Sequence, residues 1–306
     1  MMSVVRTVAV WGRAVRVYSY PASVVPVVLG TVYAWYRTGR FDGLLFLLAL
    51  VAGVAYHTGT NLINDVYDHR HGVDREGSLG GSGVLVAGEL SPRAVLLGGY
   101  AALLLGTVIG IWFIVLRGWP ILAIGLAGAL GAVFYTTTPG SAKYNAIGEP
   151  LVFVMMGVGM VVGADYVQSA ELTWDAVWVS LPVGFLVTAI LQANDTRDIV
   201  DDRQAGITTL SILLGPTGAR ALYSVVLGGA YLSAALLPVA GVAPWWVLLV
   251  LLTLPLAWKL HATFWSYREV AGAGLVGTVE RTAQLHLVFG LLLSLGVALG
   301  VWVPLG

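Results

Sequence analysis

The sequence NLINDVYDHRHGVD, from Asn61 to Asp74, decides the fold, because it places acidic side chains at the end of a long apolar run. Residues three, four and seven positions apart share one face of a helix, which turns by about 100° per residue. The polar residues that share such a face here are His57, Asn61, Asn64, Asp65 and Asp68. The stretch therefore predicts an apolar helix whose last turns carry a polar stripe.

A second stretch, NDTRDIVDDRQAGITTL from Asn194 to Leu210, repeats this arrangement at the end of another apolar run. Its polar stripe consists of Asn194, Asp195, Asp198, Asp201 and Asp202. Together the two stretches hold seven of the sixteen acidic residues of the chain. Carboxylates crowded onto hydrophobic helices repel one another and lose hydration, so both stretches require a counter-charge.

Composition indicates a protein that crosses a membrane several times. Of the 306 residues, 58% are hydrophobic and only 10% are charged, and the mean hydropathy is +0.85. The lack of cysteine excludes a disulfide framework, a thiolate nucleophile and a cysteine-bound metal. Arg6, Arg13 and Arg16 precede the first long apolar run, and the segment between them is too short and interrupted for a secretory signal, so we expect the first span to be retained.

Apolar runs long enough to cross a hydrocarbon core of about 30 Å predict an all-α fold with nine transmembrane helices. Their expected limits are 20–37, 43–66, 93–116, 119–137, 147–166, 174–194, 217–237, 244–264 and 282–304. The spacing suggests two four-helix units, with a ninth helix added, around a central cavity. We expect residues 1–306 to form one integral-membrane domain, with the acidic motifs at 61–74 and 194–210.

The two acidic stretches close the second and sixth predicted spans, so they must emerge on the same side of the membrane. If the N-terminus is on the same side, thirteen of the sixteen Lys and Arg residues lie on that side of the membrane. The other side keeps only Arg37, Arg40 and Arg117. The positive-inside rule therefore predicts a cell inner membrane protein with a cytoplasmic N-terminus and cytoplasmic acidic loops, and with the C-terminus opposite.

Oxygen-only ligand clusters suit Mg²⁺, which binds one or two carboxylates and fills its other positions with water and phosphate oxygens. Two such clusters facing one cavity could hold two ions on one diphosphate. A lipid-embedded pocket beside them suits a long apolar tail, so the residues predict prenyl transfer from a polyprenyl diphosphate.

These motifs also resemble those of the UbiA superfamily of intramembrane aromatic prenyltransferases, over about residues 13–215. The first stretch resembles its Asn-Asp-x-x-Asp motif, and the second resembles its Asp-x-x-x-Asp motif. Together with FYTTTPGSAKYNAIGEP, Phe134 to Pro150, they are similar to the 1,4-dihydroxy-2-naphthoate polyprenyltransferase branch of menaquinone synthesis. The resemblance implies Mg²⁺, a polyprenyl diphosphate donor and an aromatic acceptor whose carboxylate is lost.

The resemblance also implies roles for single residues. The implied metal ligands are Asn64, Asp65, Asp68, Asp74, Asn194, Asp195, Asp198 and Asp202. Substrate contacts are expected from Arg16, Asn61, Arg70, Lys143, Arg197 and Arg203, and catalysis from Asp68, Asp198, Tyr135 and Glu149. Tyr135 could offer a π face to an allylic cation, and Glu149 could orient or deprotonate the acceptor. The chain departs from the family pattern at Val17, Gly72 and Ile207, and Asp74 is expected to replace the aspartate missing at Gly72.

Several alternatives stay open at this level. Paired carboxylates at a membrane edge also build cation transporters, and a non-catalytic scaffold would bind the prenyl diphosphate without turnover. Hydroxybenzoate, homogentisate, a glyceryl-phosphate lipid or heme could be the acceptor. His57 could contact substrate or make an interhelical hydrogen bond, and Tyr135 could be an interfacial aromatic residue. Membrane lipids are the other expected partners; neither nucleic acid nor an obligate protein partner is expected.

Overall fold

The computed structural model describes residues 4–77, 80–136, 142, 145–266 and 272–303. Its helices, numbered in chain order, are α1 (Val4–Ala14), α2 (Pro21–Thr38), α3 (Gly43–Arg70), α4 (Pro92–Arg117), α5 (Trp119–Thr136), α6 (Gly148–Ser169), α7 (Trp174–Arg197), α8 (Ile199–Gln204), α9 (Leu210–Val239), α10 (Trp245–Ser266) and α11 (Thr278–Trp302). Short 3₁₀ turns at Val17–Ser19 and Gly272–Leu275 precede α2 and α11.

The structure confirms the predicted all-helical membrane architecture. Within the described residues, eight helices are long and apolar enough to span a bilayer, and each matches one of the predicted spans. The remaining predicted span corresponds to α5, whose apolar part, Trp119–Ala132, is shorter. With 18 residues in all, α5 is about 27 Å long at 1.5 Å per residue, close to the thickness of a hydrocarbon core.

Three of the spans depart from regular α-helix in ways that their apolar patterns did not predict. Helix α6 contains a π-helical stretch at Phe153–Gly159, and α10 begins as a 3₁₀ helix at Trp245–Thr253. Helix α9 is kinked at Gly215, whose φ of 67° and ψ of 176° are not helical. Pro216 follows this glycine and disfavours the α conformation for the residue before it.

The helices pack in an order that agrees with two four-helix units. The second helix of each unit lies along the third, so that α3 packs on α4 and α7 packs on α9. The units meet where α2 packs along α6, and the last helix, α11, packs on α2, α7 and α10. Glycine permits the closest approach between the units, because a Cβ atom at Gly30 would lie 2.2 Å from the Val161 carbonyl oxygen.

Both acidic stretches lie at C-terminal helix ends on the same face of the bundle. Helix α3 begins after Asp42, whose carboxylate accepts hydrogen bonds from the Leu44 and Leu45 amides at 2.9 and 3.0 Å. It ends at Arg70, and Gly72 turns the chain with a φ of 72°. Helix α7 ends at Arg197, where the Asp198 amide donates to the Asn194 carbonyl oxygen at 3.0 Å.

The contact between α6 and α7 makes the first testable prediction. A Cβ atom on Gly157 would lie 2.4 Å from the Gly184 Cα atom, so the two backbones would have to separate. We expect Gly157→Ala to lower the free energy of unfolding by about 1–3 kcal/mol through overpacking. The matched control is Gly228→Ala on α9, where a Cβ atom meets nothing within 4 Å. Thermal unfolding in detergent measures both, and equal transition temperatures would contradict the prediction.

Candidate functional site

The carboxylates of the first acidic stretch are almost completely buried. The exposed fraction is 1% for Asp65, 2% for Asp68 and 9% for Asp74. Asn64 lies one turn before Asp68, and its amide nitrogen Nδ2 donates a hydrogen bond to the Asp68 Oδ2 atom at 2.7 Å. The Asn64 Oδ1 atom is buried and accepts no hydrogen bond from the described residues. A buried acceptor of this kind is a suitable ligand for a hard cation.

Arg16 neutralises one of these carboxylates from the segment between α1 and α2. Its guanidinium forms an ion pair with Asp65, which also accepts a hydrogen bond from the Ser82 amide at 3.3 Å. Burial, the largest single effect, lowers the pKa of the Arg16 guanidinium, but Asp65 together with Tyr18, Asp74 and Asp68 raises the pKa above its usual value. Arg16 has a left-handed backbone with φ and ψ both at 55°, which is uncommon for a residue with a side chain.

His57 supports this turn by hydrogen bonding between helices. Its Nδ1 atom lies 2.6 Å from the Ser23 Oγ atom, and its Nε2 atom lies 3.1 Å from the Ser19 Oγ atom. The Ser19 hydroxyl donates to the Arg16 carbonyl oxygen at 2.8 Å and accepts from the Asn61 Nδ2 atom at 3.3 Å. Of the two roles left open for His57, the structure shows the interhelical hydrogen bond. The His57 ring also lines a large cavity within the bundle, which is described below.

In the second acidic stretch an arginine binds the adjacent carboxylate. The Arg197 Nε and Nη2 atoms donate to the two Asp198 oxygens at 2.6 and 2.7 Å, which is the bidentate geometry of strong guanidinium–carboxylate pairs. Nη2 also donates to the Asn194 Oδ1 atom at 2.9 Å. Asp195 and Asp202 are buried beside this pair, with 5% and 7% exposed.

The loop after α3 brings the two stretches together. A Cβ atom on Gly80 would lie 3.4 Å from the Asp198 Oδ2 atom and 3.6 Å from the Asp74 Oδ1 atom, so both carboxylates face one glycine. At Gly81 a Cβ atom would overlap the Asp74 carboxylate, at 2.1 Å from its Oδ2 atom. Arg75 joins the same loop to α8 through an ion pair with Asp201 at 3.2 Å. The predicted meeting of the two motifs over one cavity is therefore present.

A cavity of about 840 Å³ extends from these motifs through the bundle. Arg16, Asn61, Asn64, Tyr135 and Asn194 line its polar end, which is the end beside the carboxylates. Small and apolar side chains of α2, α3, α4, α5, α6 and α7 line most of the rest, and the far end is formed by Phe113, Ile121 and Val167. Most residues of α5 are exposed, since one side of this helix faces the cavity and the other faces outward.

Two predicted catalytic residues lie near this polar end. Tyr135 lines the cavity, and the carboxylates of Asp195, Glu149 and Asp68 lie within electrostatic range of its hydroxyl. Glu149 is in the first turn of α6 and only 3% exposed. Neither of its carboxylate oxygens has a hydrogen-bond partner among the described residues. A buried carboxyl without a partner is suited to exchanging a proton with a bound molecule.

Other predicted site residues are not brought into the cluster. Arg70 and Arg203 are exposed, and their side chains form no ion pair within the described ranges. Lys143 lies outside the described residues. His71 stacks on Tyr67, and its Nδ1 atom donates a hydrogen bond to the Tyr67 carbonyl oxygen at 2.8 Å, so His71 caps the end of α3.

The donor set fits a hard cation by its chemistry. The amide side chains of Asn64 and Asn194 line the polar end of the cavity beside the buried carboxylates of both motifs, and Asn64 contributes an unused oxygen. Among the residues that the structure describes, no group of three or more His, Cys, Asp or Glu side chains is arranged to hold one metal ion. Arg16 and Arg197 instead hold Asp65 and Asp198, so the carboxylates are neutralised in the protein itself.

Sequence reasoning missed the polar residues that support the site from neighbouring helices. Ser19 and Ser23 hold His57, and the Gln192 Nε2 atom donates to Thr196, Ser211 and the Ala219 carbonyl oxygen at 3.0–3.1 Å. Gln192 thereby joins the end of α7 to α9. One signal was available, because an amide within an apolar run must find hydrogen-bond partners in neighbouring helices.

Comparisons with known proteins agree with this geometry. The model of the UbiA prenyltransferase family matches residues 23–276. A 1,4-dihydroxy-2-naphthoate octaprenyltransferase of Bacillus subtilis (strain 168) is 31% identical over 282 residues, covering 92% of this chain and 90% of that protein. The UbiA prenyltransferase domain-containing protein 1 of Xenopus tropicalis is 34% identical over 293 residues, covering 95% and 82%.

A solved structure shows the same fold. A UbiA homolog from Archaeoglobus fulgidus, bound to GPP and Mg²⁺, has a TM-score of 0.64 at 15% identity. The alignment covers 93% of this chain and 99% of that chain. At 15% identity, the likeness shows that the two proteins share the arrangement of their helices and shows nothing further.

The Arg16 pair makes the second testable prediction. We expect Arg16→Ala to leave the Asp65 carboxylate buried without its partner, at a cost on the order of 3 kcal/mol in unfolding free energy. The double variant Arg16→Ala with Asp65→Asn should recover most of this loss, because it removes the unpaired charge. Arg13→Ala is the matched control, since its pair with Glu89 is exposed and is worth at most about 1 kcal/mol. Thermal unfolding in detergent separates the three, and a double variant no more stable than Arg16→Ala would refute the charge argument.

Proposed function

Because this chain belongs to the UbiA prenyltransferase family, we propose that it transfers a polyprenyl group from polyprenyl diphosphate to 1,4-dihydroxy-2-naphthoate in menaquinone synthesis. That the chain is a membrane-embedded prenyltransferase follows from the family. The proposed use of a polyprenyl diphosphate is supported by one observation: Asp74 and Asp198 meet at one glycine, beside the polar end of a long apolar cavity.

We assign the diphosphate to this polar end. The residues that would hold Mg²⁺, two ions in our proposal, are Asn64, Asp65, Asp68, Asp74, Asn194, Asp195, Asp198 and Asp202. When bound, Mg²⁺ would supply Lewis-acid stabilisation of the leaving diphosphate. The bound GPP and Mg²⁺ of the Archaeoglobus fulgidus protein support this choice of ligand and cation.

The chain's own cations and cavity position the donor. Arg16 and Arg197 present guanidinium groups beside the two motifs, where the N–H donors that their carboxylate partners leave unused can bind phosphate oxygens. Asn61, whose amide is held by Ser19, adds a donor to the same wall. The apolar length of the cavity down to Phe113 and Val167 takes the prenyl tail, which excludes water from the reacting carbon.

Tyr135 and Glu149 act on the chemistry at the polar end. The Tyr135 ring can stabilise developing positive charge on the allylic carbon, an effect worth about 0.5–2 kcal/mol. Glu149 can accept a proton from the aromatic acceptor, since its buried oxygens have no partner among the described residues. The distribution of Lys and Arg supports a cytoplasmic site in an inner membrane, with the two termini on opposite sides.

A turnover assay in nanodiscs tests the proposal. The protein is offered a polyprenyl diphosphate with dihydroxynaphthoate, hydroxybenzoate, homogentisate or a glyceryl-phosphate lipid, with and without Mg²⁺, and products are read by mass. We expect a Mg²⁺-dependent product from dihydroxynaphthoate that has lost the carboxylate. Turnover of another acceptor alone would overturn the pathway, and turnover after complete removal of divalent ions would overturn the metal assignment.

The metal assignment makes the third testable prediction. Asp68→Asn and Asp198→Asn each remove a negative charge without changing packing volume, so we expect turnover to fall at least about a hundredfold. Thermal unfolding of each variant checks folding, since Asp198→Asn also removes the carboxylate that pairs with the buried Arg197. Asp175→Asn at the opposite, exposed end of α7 is the matched control and should keep full activity. Near-normal turnover in either motif variant would refute its role.

A further inference from the structure

Helix α1 is too short to cross the membrane, and the bundle encloses only part of its surface. Its 11 residues, Val4–Ala14, extend about 17 Å at 1.5 Å per residue, whereas a hydrocarbon core is about 30 Å thick. The exposed fraction is 80% for Val5 and 67% for Val8. Helix α1 therefore presents large apolar side chains that the proposed reaction does not use.

The opposite face of α1 packs on the bundle. Val10 and Ala14 are 2% and 0% exposed, and they belong to an apolar cluster with Leu62 and Val66 of α3 and Val95 of α4. These contacts involve the second half of α3 and the first turn of α4. Helix α1 is thus held at the end of the bundle that carries the acidic stretches.

The contact with α4 indicates the depth of α1 in the membrane. The Trp11 ring lies against Gly98, where a Cβ atom would be 3.1 Å from the Trp11 Cη2 and Cζ3 atoms. Gly98 is six residues from the start of α4 at Pro92, which is about 9 Å along the helix. Leu97 and Tyr100, close to this glycine, are 60% and 55% exposed. Tryptophan and tyrosine favour the level where headgroups meet the hydrocarbon, so α1 lies at that level.

The exposed surface of α1 has an apolar part and a cationic edge. At 100° per residue, Val8, Val5 and Ala9 lie within an arc of about 100°, opposite the buried face. Arg6 and Arg13 are also exposed, and they lie within about 20° of each other along one edge of this arc. A short helix with one apolar face and arginine beside it is typical of helices that lie in the plane of the membrane surface.

Positive charge continues from α1 onto the adjacent end of α4. Arg13 forms an ion pair with Glu89, which precedes α4. Arg93, the second residue of α4, is exposed one turn after Glu89. Three arginines, Arg6, Arg13 and Arg93, and the Glu89 carboxylate therefore lie along this edge, which leaves it positively charged. Such an edge beside apolar surface attracts anionic lipid headgroups.

We propose that α1 is an interfacial helix that binds the bilayer surface on the side of the acidic stretches, with its exposed valines against acyl chains and the three arginines at anionic headgroups. The exposed apolar side chains of α4 continue from the same surface, which favours lipid over a protein partner. The surface is separate from the large cavity, so the inference does not depend on turnover. Because the Arg16 turn directly follows α1, this contact also anchors the segment that carries Arg16.

The fourth prediction concerns the surroundings of the exposed valines. Since the chain has no cysteine, Val5→Cys and Val8→Cys can each carry one bimane label in nanodiscs of phosphatidylcholine and phosphatidylglycerol. Leu104→Cys, 65% exposed near the middle of α4, is the control for deep lipid. Arg40→Cys, exposed in the turn between α2 and α3, is the control for water. Fluorescence quenching is measured with lipids that carry a doxyl group near the headgroup or deep in the acyl chain, and with iodide in water.

We expect the shallow doxyl lipid to quench the labels at Val5 and Val8 at least about twofold more strongly than iodide does, because interfacial helices insert about 5–10 Å into the boundary of headgroups and acyl chains. The label at Leu104 should respond most to the deep doxyl lipid, and the label at Arg40 to iodide. Iodide quenching of both α1 labels as strong as at Arg40 would overturn the proposal. Protection from lipid and iodide alike, which a protein partner would cause, would also overturn it.

The headgroup contact is tested separately with the label at Val8. We expect phosphatidylglycerol to raise its quenching by the shallow doxyl lipid relative to phosphatidylcholine alone, and high salt to reduce this rise. Arg6→Gln combined with Arg93→Gln should abolish the rise. Arg40→Gln combined with Arg281→Gln removes the same charge from exposed positions elsewhere and should retain it. An equal rise in both double variants, or no rise in the unsubstituted arginine background, would overturn the binding of anionic headgroups. Thermal unfolding of every labelled variant excludes misfolding.

Discussion

The structure depends on the burial of carboxylates at the ends of two apolar helices. Asp65, Asp68, Asp195, Asp198 and Asp202 are each at most 7% exposed, and uncompensated charges at that depth would cost far more than the protein's net stability. Arg16 and Arg197 supply part of the compensation through direct ion pairs. Oxygen ligands with guanidinium neighbours favour the binding of a cation together with a polyanion.

Much of the surrounding structure serves to position these charges. The left-handed turn at Arg16 is held by Ser19 and His57, so the guanidinium approaches Asp65 from a segment that is not itself a spanning helix. Gly80 and Gly81 let the loop after α3 pass between Asp74 and Asp198. At Gly81 this approach leaves no room for a side chain, since a Cβ atom would lie 2.1 Å from the Asp74 Oδ2 atom. The rigid parts of the site are therefore on helices, and its cover is a loop that glycine shapes.

Helices of both four-helix units line the large cavity. The first unit contributes α2, α3, α4 and α5, and the second contributes α6 and α7. In the proposed reaction this arrangement orients a long apolar donor with its reacting end beside the polar groups of both motifs, which is an effect of orientation on rate.

From the sequence alone, the spans, the polar helix stripes and the common face of the two motifs could be predicted, because hydrophobic length and helical periodicity are local properties. The family resemblance named the residues of both motifs, and both motifs do meet. The partners of those residues were decided by tertiary structure. Arg16 reaches Asp65 whereas Arg70 and Arg203 face outward, although all three are arginines near an acidic motif. The His57 hydrogen bonds and the glycine between Asp74 and Asp198 are equally non-local. Each requires two segments far apart in sequence to pack at a particular distance, and no period within one segment encodes that distance.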